Sequence, residues 1–493
     1  MKRHFKYLGK CICFLFLLIP LVQITNFILL PKYYTNQDWP TSSTFIGFYQ
    51  MEPDTIDVLA FGSSHMASGF NPQELYEEYG IRSYNLSSEQ QNTLVSYYWL
   101  KEALRTQHPQ AVILDCFFLF PYEEDMPFNS SESCLRKSVD FMKPGTVKRA
   151  MIHDICELDN TQSALSYYFP NIRFHTRWYA LDKSDFQFRV DGAASKLKGY
   201  CPFRTACKTD TFKPFKVDPS VPAGSFQPVM EEYLEKIAQL CKENDIRLIL
   251  IKTPTTAHNA ARYNTIRAFA DKHDLAYYDF NESGIYNACS FDFLKDMYDN
   301  GHCSITGANK VTSYLGSILS SEYMVSSVED LQWESSMNYY HEILRDYQLP
   351  GKSDILEYLE VLKQDGYIIF LSAKEDISPG MNEEITQALK NLGLQADLMD
   401  KAEYSYYAVI SNEGILEECN ADPLTRIGTV ADLPFNLTSN GSNRYGYSSI
   451  QIDGKEYSPN HGGLNIVVYN RYTGKLVDAV CFDMSSEEHN AKR

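Results

Sequence analysis

Asp57-Val-Leu-Ala-Phe-Gly-Ser-Ser64-His65 decides how this chain is read. Four apolar residues, 58–61, have the length and composition of a buried strand, and Gly-Ser-Ser interrupts it at once. After Ala67-Ser-Gly-Phe-Asn-Pro72 a helical pattern begins from Gln73. A serine on a tight strand-to-helix turn is held at the C-terminal edge of a sheet. Its hydroxyl is presented there, and nearby backbone N–H groups are free to receive an oxyanion. Working outward, short strands are predicted at 83–86, 111–114 and 276–279, and another from Arg247 into a loop at Thr253-Pro254. Helices are predicted at 72–79, 92–106, 229–244, 263–272 and 307–321. Such alternation implies a mostly parallel α/β sheet covered on both faces. Active residues then belong at the strands' C-terminal ends, where Ser64, Asn85 and Thr253 fall.

Far downstream, Asp299-Asn-Gly-His302 supplies what a serine alone lacks. An imidazole can take the hydroxyl proton, and a carboxylate three residues earlier can orient it. In this order and strand context, Gly62-Ser-Ser64 and Asp299-x-x-His302 resemble the SGNH/GDSL hydrolase superfamily. The resemblance implies a flavodoxin-like three-layer sandwich, with Ser64 as nucleophile, His302 as base and Asp299 as its orienting acid. Ser304 and Gly307 extend the last motif into a helix. Two blocks depart from the family pattern. Tyr84-Asn-Leu-Ser-Ser-Glu-Gln-Gln91 has Ser87 where the family carries an oxyanion-hole glycine. After Ala111-Val-Ile-Leu-Asp115 comes Cys116-Phe-Phe-Leu-Phe-Pro121, with no asparagine before Asn129. The oxyanion hole is therefore expected from N–H groups of Ser64 and Ser87, with the side chain of Asn92 or Gln91 as a further donor. The resemblance implies no cofactor, and no cluster of His, Cys and Asp has metal-ligand spacing, so no metal is expected.

The N-terminus carries Lys2, Arg3, Lys6 and Lys10 ahead of an apolar run from Cys11 to Leu30. About twenty apolar residues span a bilayer core, and the basic flank places that end in the cytoplasm. The run is longer than a signal-peptide core, and no Ala-x-Ala site precedes Pro31-Lys-Tyr-Tyr, which favours an uncleaved anchor over a cleaved signal. The expected location is the cell membrane, single-pass, with the bulk of the chain outside the cytoplasm. About 460 of the 493 residues follow the anchor, more than one core accommodates, so two domains are expected. A formal charge of −18 argues against a nucleic-acid partner. Twelve cysteines include Cys11 and Cys13 in the anchor, and the rest show no paired Cys-x-x-Cys.

The expected organisation is a basic tail and anchor at 1–34, an SGNH-like domain at 35–325, a linker at 326–352 and a second domain at 353–493. The alternation stops between 121 and 227, which reads as an insert overhanging Ser64. Within it, His175, Arg177 and Trp178 form a basic-aromatic cluster suited to shaping a sugar or phosphate site, or equally to packing the insert on the sheet. In the last part, Leu371-Ser-Ala-Lys-Glu-Asp376, a helix ending before Gly393, and Gly463-Leu-Asn-Ile-Val-Val-Tyr with Thr473-Gly474 and Val477-Asp478 are similar to the interleukin-like EMT inducer (ILEI) domain. That resemblance implies a compact β-sandwich with flanking helices and, as in some members, carbohydrate binding.

By layout the first domain resembles the membrane-anchored SGNH members that act on cell-envelope polymers, the DltD-like and alginate-acetylation proteins. The function this implies is a serine acyltransferase or esterase working on an envelope polysaccharide. Its partner would be a membrane-bound O-acyltransferase serving as acyl donor. From a different class, a catalytically weak SGNH-like scaffold whose C-terminal domain binds glycan also fits the two departing blocks.

Overall fold

A computed structural model describes residues 2–32, 41–121, 129–186, 193–208, 212–323, 325, 328–330, 333–363 and 366–493. Residues 33–40, where the expected anchor segment 1–34 meets the expected domain from 35, lie outside them. Two compact units emerge, Met1–Tyr339 and Tyr340–Arg493.

In the first unit, α1 (Lys2–Leu29) contains Ile12–Leu29, a stretch of mean hydropathy 2.4 that is long and apolar enough to cross a membrane. Almost none of that stretch is covered by the rest of the chain. After α2 (Thr41–Phe48) come β1 (Val58–Phe61), α3 (Ser64–Gly69), α4 (Pro72–Tyr79), β2 (Ser83–Asn85), α5 (Thr93–Ala103) and β3 (Ala111–Asp115). The insert is helical, with α6 (Glu132–Val139), α7 (Thr146–Leu158), α8 (Ala164–Tyr168), α9 (Pro170–Phe174) and α10 (Ala193–Lys196). The alternation then resumes through α11 (Pro228–Glu243), β4 (Arg247–Lys252), α12 (Ala260–His273), β5 (Ala276–Asp279), α13 (Ser283–Ala288), α14 (Phe293–Asp296) and α15 (Ile305–Ser321).

The five strands are parallel in the order β2-β1-β3-β4-β5. This is a doubly wound order whose switch point lies between β1 and β3, where a crevice opens at the strands' C-terminal ends. Period two divides the strand side chains between the faces. Leu59, Phe61, Val112, Leu114, Leu248 and Leu250 join one apolar cluster with Trp99 of α5 and Leu234 of α11. The alternating residues Val58, Ala60, Ile113, Ile249 and Ile251 are equally buried, as a sheet covered on both faces requires.

One difference from the sequence reading matters for the site. Ser64 opens a short helix of its own, α3, eight residues before the helix predicted from Pro72. The cause is local: Ser63 takes an extended backbone and its hydroxyl accepts from the N–H of His65 at 3.3 Å, an N-cap. The segment read as a linker carries the helix that its sequence predicts at 333–347. Trp333 stacks on Tyr76 at 4.7 Å, and α16 (Glu334–Gln348) contains the boundary between the units.

The second unit contains α17 (Ile355–Leu362), β6 (Tyr367–Lys374), α18 (Glu383–Asn391), β7 (Ser405–Ser411), β8 (Gly414–Asn420), β9 (Leu424–Val430), β10 (Leu433–Asn440), β11 (Tyr447–Ile452), β12 (Lys455–Glu456), β13 (Gly463–Asn470), β14 (Lys475–Phe482) and β15 (Ala491–Lys492). The β11–β12 hairpin turns at Asp453 and Gly454, both in the left-handed region at φ 50° and 76°. A two-residue Asp-Gly hairpin turn needs that conformation at both positions. All ten strands hydrogen-bond into one curled sheet flanked by helices, which gives the second unit a mixed α and β character. It curls because β10 meets β6 through a single parallel pair, Asn440 with Lys374. One face of β6, with Ile369 and Leu371, packs in a cluster with α17 and α18. The other, with Ile368 and Phe370, is covered by Leu437, Ile450 and Ile452 from β10 and β11.

Candidate active site

The turn after β1 must pass very close to the end of β3. A Cβ on Gly62 would lie 2.7 Å from Cβ of Met66 and 2.9 Å from Cβ of Asp115, so only glycine fits. That close turn delivers Ser64, largely buried, to the first position of α3. On the far side of the crevice, the chain between α14 and α15 folds back on itself. Met297 pairs with Cys303, and the N–H of Tyr298 donates to the carbonyl of His302 at 2.9 Å. Asp299 and His302 are thereby presented from one tight loop. Ser64 Oγ lies 2.9 Å from His302 Nε2, and His302 Nδ1 lies 2.8 Å from Asp299 Oδ2. Asp299 Oδ1 also accepts from the N–H groups of Gly301 at 2.8 Å and His302 at 2.9 Å. Partial burial works to raise the Asp299 carboxyl, but the His302 contact and these two N–H groups hold it below its ordinary value.

At the C-terminal ends of β3 and β4 is a buried polar group, of which the sequence reading placed only Thr253 at the sheet edge. Asp115 Oδ1 accepts from the N–H and the hydroxyl of Thr253, both at 3.0 Å, and Lys252 Nζ stands 3.7 Å away. Asp115 Oδ2 accepts from the N–H of Phe117 at 3.2 Å. Phe117 lies in the stretch after β3 where the sequence resemblance led us to look for an asparagine. Its ring stacks at 3.7 Å on His65, which is buried and has its ring centre 4.9 Å from that of His302. Burial, then the Lys252 ammonium and the neighbouring His302 ring, push the His65 imidazole well below its ordinary value. His65 is thus held as a neutral wall of the site. Asn85, at the end of β2, donates to the carbonyls of Met66 at 2.8 Å and Phe70 at 3.0 Å, fixing α3 against the sheet.

The remaining expected site residues fall in several places. Ser87 is buried just beyond β2, where the N–H of Leu86 donates to Ala60 in β1, and its hydroxyl has no partner among the described residues. Asn92 is the N-cap of α5, its side-chain oxygen accepting from Val95 N–H at 3.1 Å. Gln91 donates to Leu86 O at 2.8 Å and Ser96 Oγ at 3.2 Å. Both amides therefore serve the loop between β2 and α5. Arg177 donates to the carbonyl of Leu29 at 2.7 Å and pairs with Asp185 at 2.9 Å, tying the cluster of His175, Arg177 and Trp178 to the end of α1. The insert does reach the site, through a later segment. Cys201 N–H donates to Ala67 O of α3 at 2.9 Å, and Phe203 stacks on Tyr298 at 4.7 Å with its ring 6.4 Å from His302. No spacing rule marks Phe203; only the return path of the insert places it there.

A shallow cleft lined by Ala206, Lys208, Tyr298, Asn300 and His302 opens beside Asp299. A larger hollow bounded by Gln110, Arg247 and Ala276 sits at the strands' N-terminal ends, away from Ser64. Chemically, the arrangement pairs a hydroxyl with an imidazole acceptor and an ionised carboxylate behind it. Neither the protein-family models nor the curated proteins compared with this chain give a match.

Proposed function

We propose that this protein is a membrane-anchored serine acyltransferase or esterase of the SGNH type, acting outside the cytoplasm on a cell-envelope glycan. The observation that carries the chemistry is the continuous relay from Ser64 through His302 to Asp299, at 2.9 and 2.8 Å. His302 Nε2 takes the Ser64 proton as Oγ attacks an ester carbonyl, forming a tetrahedral oxyanion. Collapse breaks the bond to the leaving alkoxide, which receives that proton from His302, and leaves an acyl-Ser64. A second hydroxyl, from a sugar or from water, attacks in the same way, and Ser64 recovers its proton. Asp299 keeps Nδ1 protonated and stabilises the imidazolium. The N–H groups of Ser64 and Ser87 are the oxyanion donors in this reading, each worth roughly 3–4 kcal/mol in studied hydrolases.

Ile12–Leu29 is then the single membrane span, with the basic N-terminus in the cytoplasm. Tethering favours an acyl donor delivered at the membrane, a membrane-bound O-acyltransferase, by raising its effective concentration. The second unit, with its ILEI-like sequence, would hold the polymer. A fluorophosphonate probe applied to the full-length protein in detergent tests the serine. Labelling should be abolished in Ser64→Ala and strongly reduced in His302→Ala. Equal labelling of wild type and Ser64→Ala would sink the enzyme reading and leave the glycan-binding scaffold.

A further inference from the structure

Around the exit of α1 the protein leaves an unusual amount of apolar surface uncovered. Leu165, Phe169, Ile172, Trp178, Tyr179 and Phe186 are all exposed, Trp178 at 71% and Tyr179 at 72%. All six lie within one short stretch of the insert, α8 to the 3₁₀ turn Lys183–Phe186. A soluble surface scatters such residues singly, and a cluster of this kind marks an interaction site.

The polar contacts of the same stretch say what covers it. Asn171 N–H donates to Asn26 Oδ1 at 3.0 Å, and Asn171 Nδ2 donates to Thr25 Oγ1 at 2.9 Å. Arg177 donates to Leu29 O at 2.7 Å, and its partner Asp185 faces Lys32 at 3.9 Å. The insert is thus bonded to the last turns of α1 itself. At 1.5 Å per residue, Thr25 and Asn26 lie about 5–6 Å inside the end of the apolar stretch. Interfacial amphipathic segments bury their apolar side about 5–10 Å into the boundary between headgroups and acyl chains. Trp and Tyr concentrate at that level, and Arg173 and Lys183 interleaved with them can extend their charged ends to water.

Taking Ile12–Leu29 as the membrane span, we propose that residues 165–186 form a second, interfacial membrane contact, with the exposed aromatic and aliphatic side chains resting in the lipid headgroup region. The insert is then a foot planted on the bilayer beside the anchor. The ectodomain is held at a fixed height and tilt instead of swinging on a tether.

The full-length chain carrying Trp39→Phe, reconstituted in phosphatidylcholine liposomes with brominated acyl chains, provides the test. Trp99 and Trp333 are buried and serve as internal references. Trp178 emission should be largely lost relative to unbrominated liposomes, and the lost component should be missing from Trp178→Phe. Flotation on a density gradient is run on the same sample. Protein that floats with lipid and resists alkaline extraction, but whose Trp178 component is unquenched, overturns the second contact and leaves the anchor standing. That result would point to a protein partner on the patch. Protein that does not float overturns both readings.

Discussion

His302 shows most directly how geometry sets chemistry. Its Nε2 has the serine and its Nδ1 the carboxylate, so the two ends of one ring are committed to opposite tasks. Asp299→Asn replaces an acceptor by an amide that can donate to Nδ1, stabilising the tautomer with its proton on Nε2, where it cannot accept from Ser64. Turnover of an aryl ester should fall by about four orders of magnitude while KM changes little, as in hydrolases with the same relay. Steady-state kinetics of the variant checks this; a loss below tenfold would mean that Asp299 does not set the tautomer. Ser64, Asp299 and His302 were legible in the sequence because each belongs to a short motif. Asn85 was legible only as a residue at the sheet's C-terminal edge, and Lys252 and Phe203 were not legible at all, since they acquire their places only when separate strands or the returning insert meet. His65 illustrates the limit. No motif marks its ring as part of the site, yet stacking on Phe117 brings that ring beside His302.

Among the elements, α3 depends on a single side chain of β2. Asn85→Ala removes two buried hydrogen bonds, to Met66 O and Phe70 O, and leaves both carbonyls without that donor. The expected cost is about 1–3 kcal/mol, read as a lower denaturant midpoint with unchanged slope. In the second unit, β15 is fastened to the end of β14 by Asp483, which accepts from Lys492 at 2.8 Å and from Ser485 Oγ at 2.6 Å. The Lys492 contact, then the Ser485 bonds, bring its carboxyl down to about 2. A carboxyl lowered by folding contributes stability that is fully present above its unfolded value near 4 and lost as pH falls toward 2. The gap in midpoint between wild type and Asp483→Asn should therefore close between pH 5 and pH 2. A gap constant across that range would show that the pair contributes nothing through ionisation. The strand-and-turn pattern was legible here down to the Asp-Gly hairpin. The one-sheet curl was not, because it hangs on a single pairing, Asn440 with Lys374, that no local signal announces.

For the molecule as a whole, alternation of strand and helix was enough to announce the parallel sheet. In the interval 326–352 the helix at 333–347 was legible too, whereas the stacking of Trp333 on Tyr76, more than 250 residues earlier, was not. The separation of the reacting pair has a consequence for the protein's life history. Ser64 and His302 are 238 positions apart, and β3, the insert, β4 and β5 all lie between them. Synthesis delivers the N-terminal part first, and pairings between distant segments form late. On the proposed function, a half-made chain carries an ordinary alcohol, no more reactive than any other serine. Reactivity would then switch on only when the loop bearing His302 closes, so the distance between two residues would work as a safety catch on premature self-acylation.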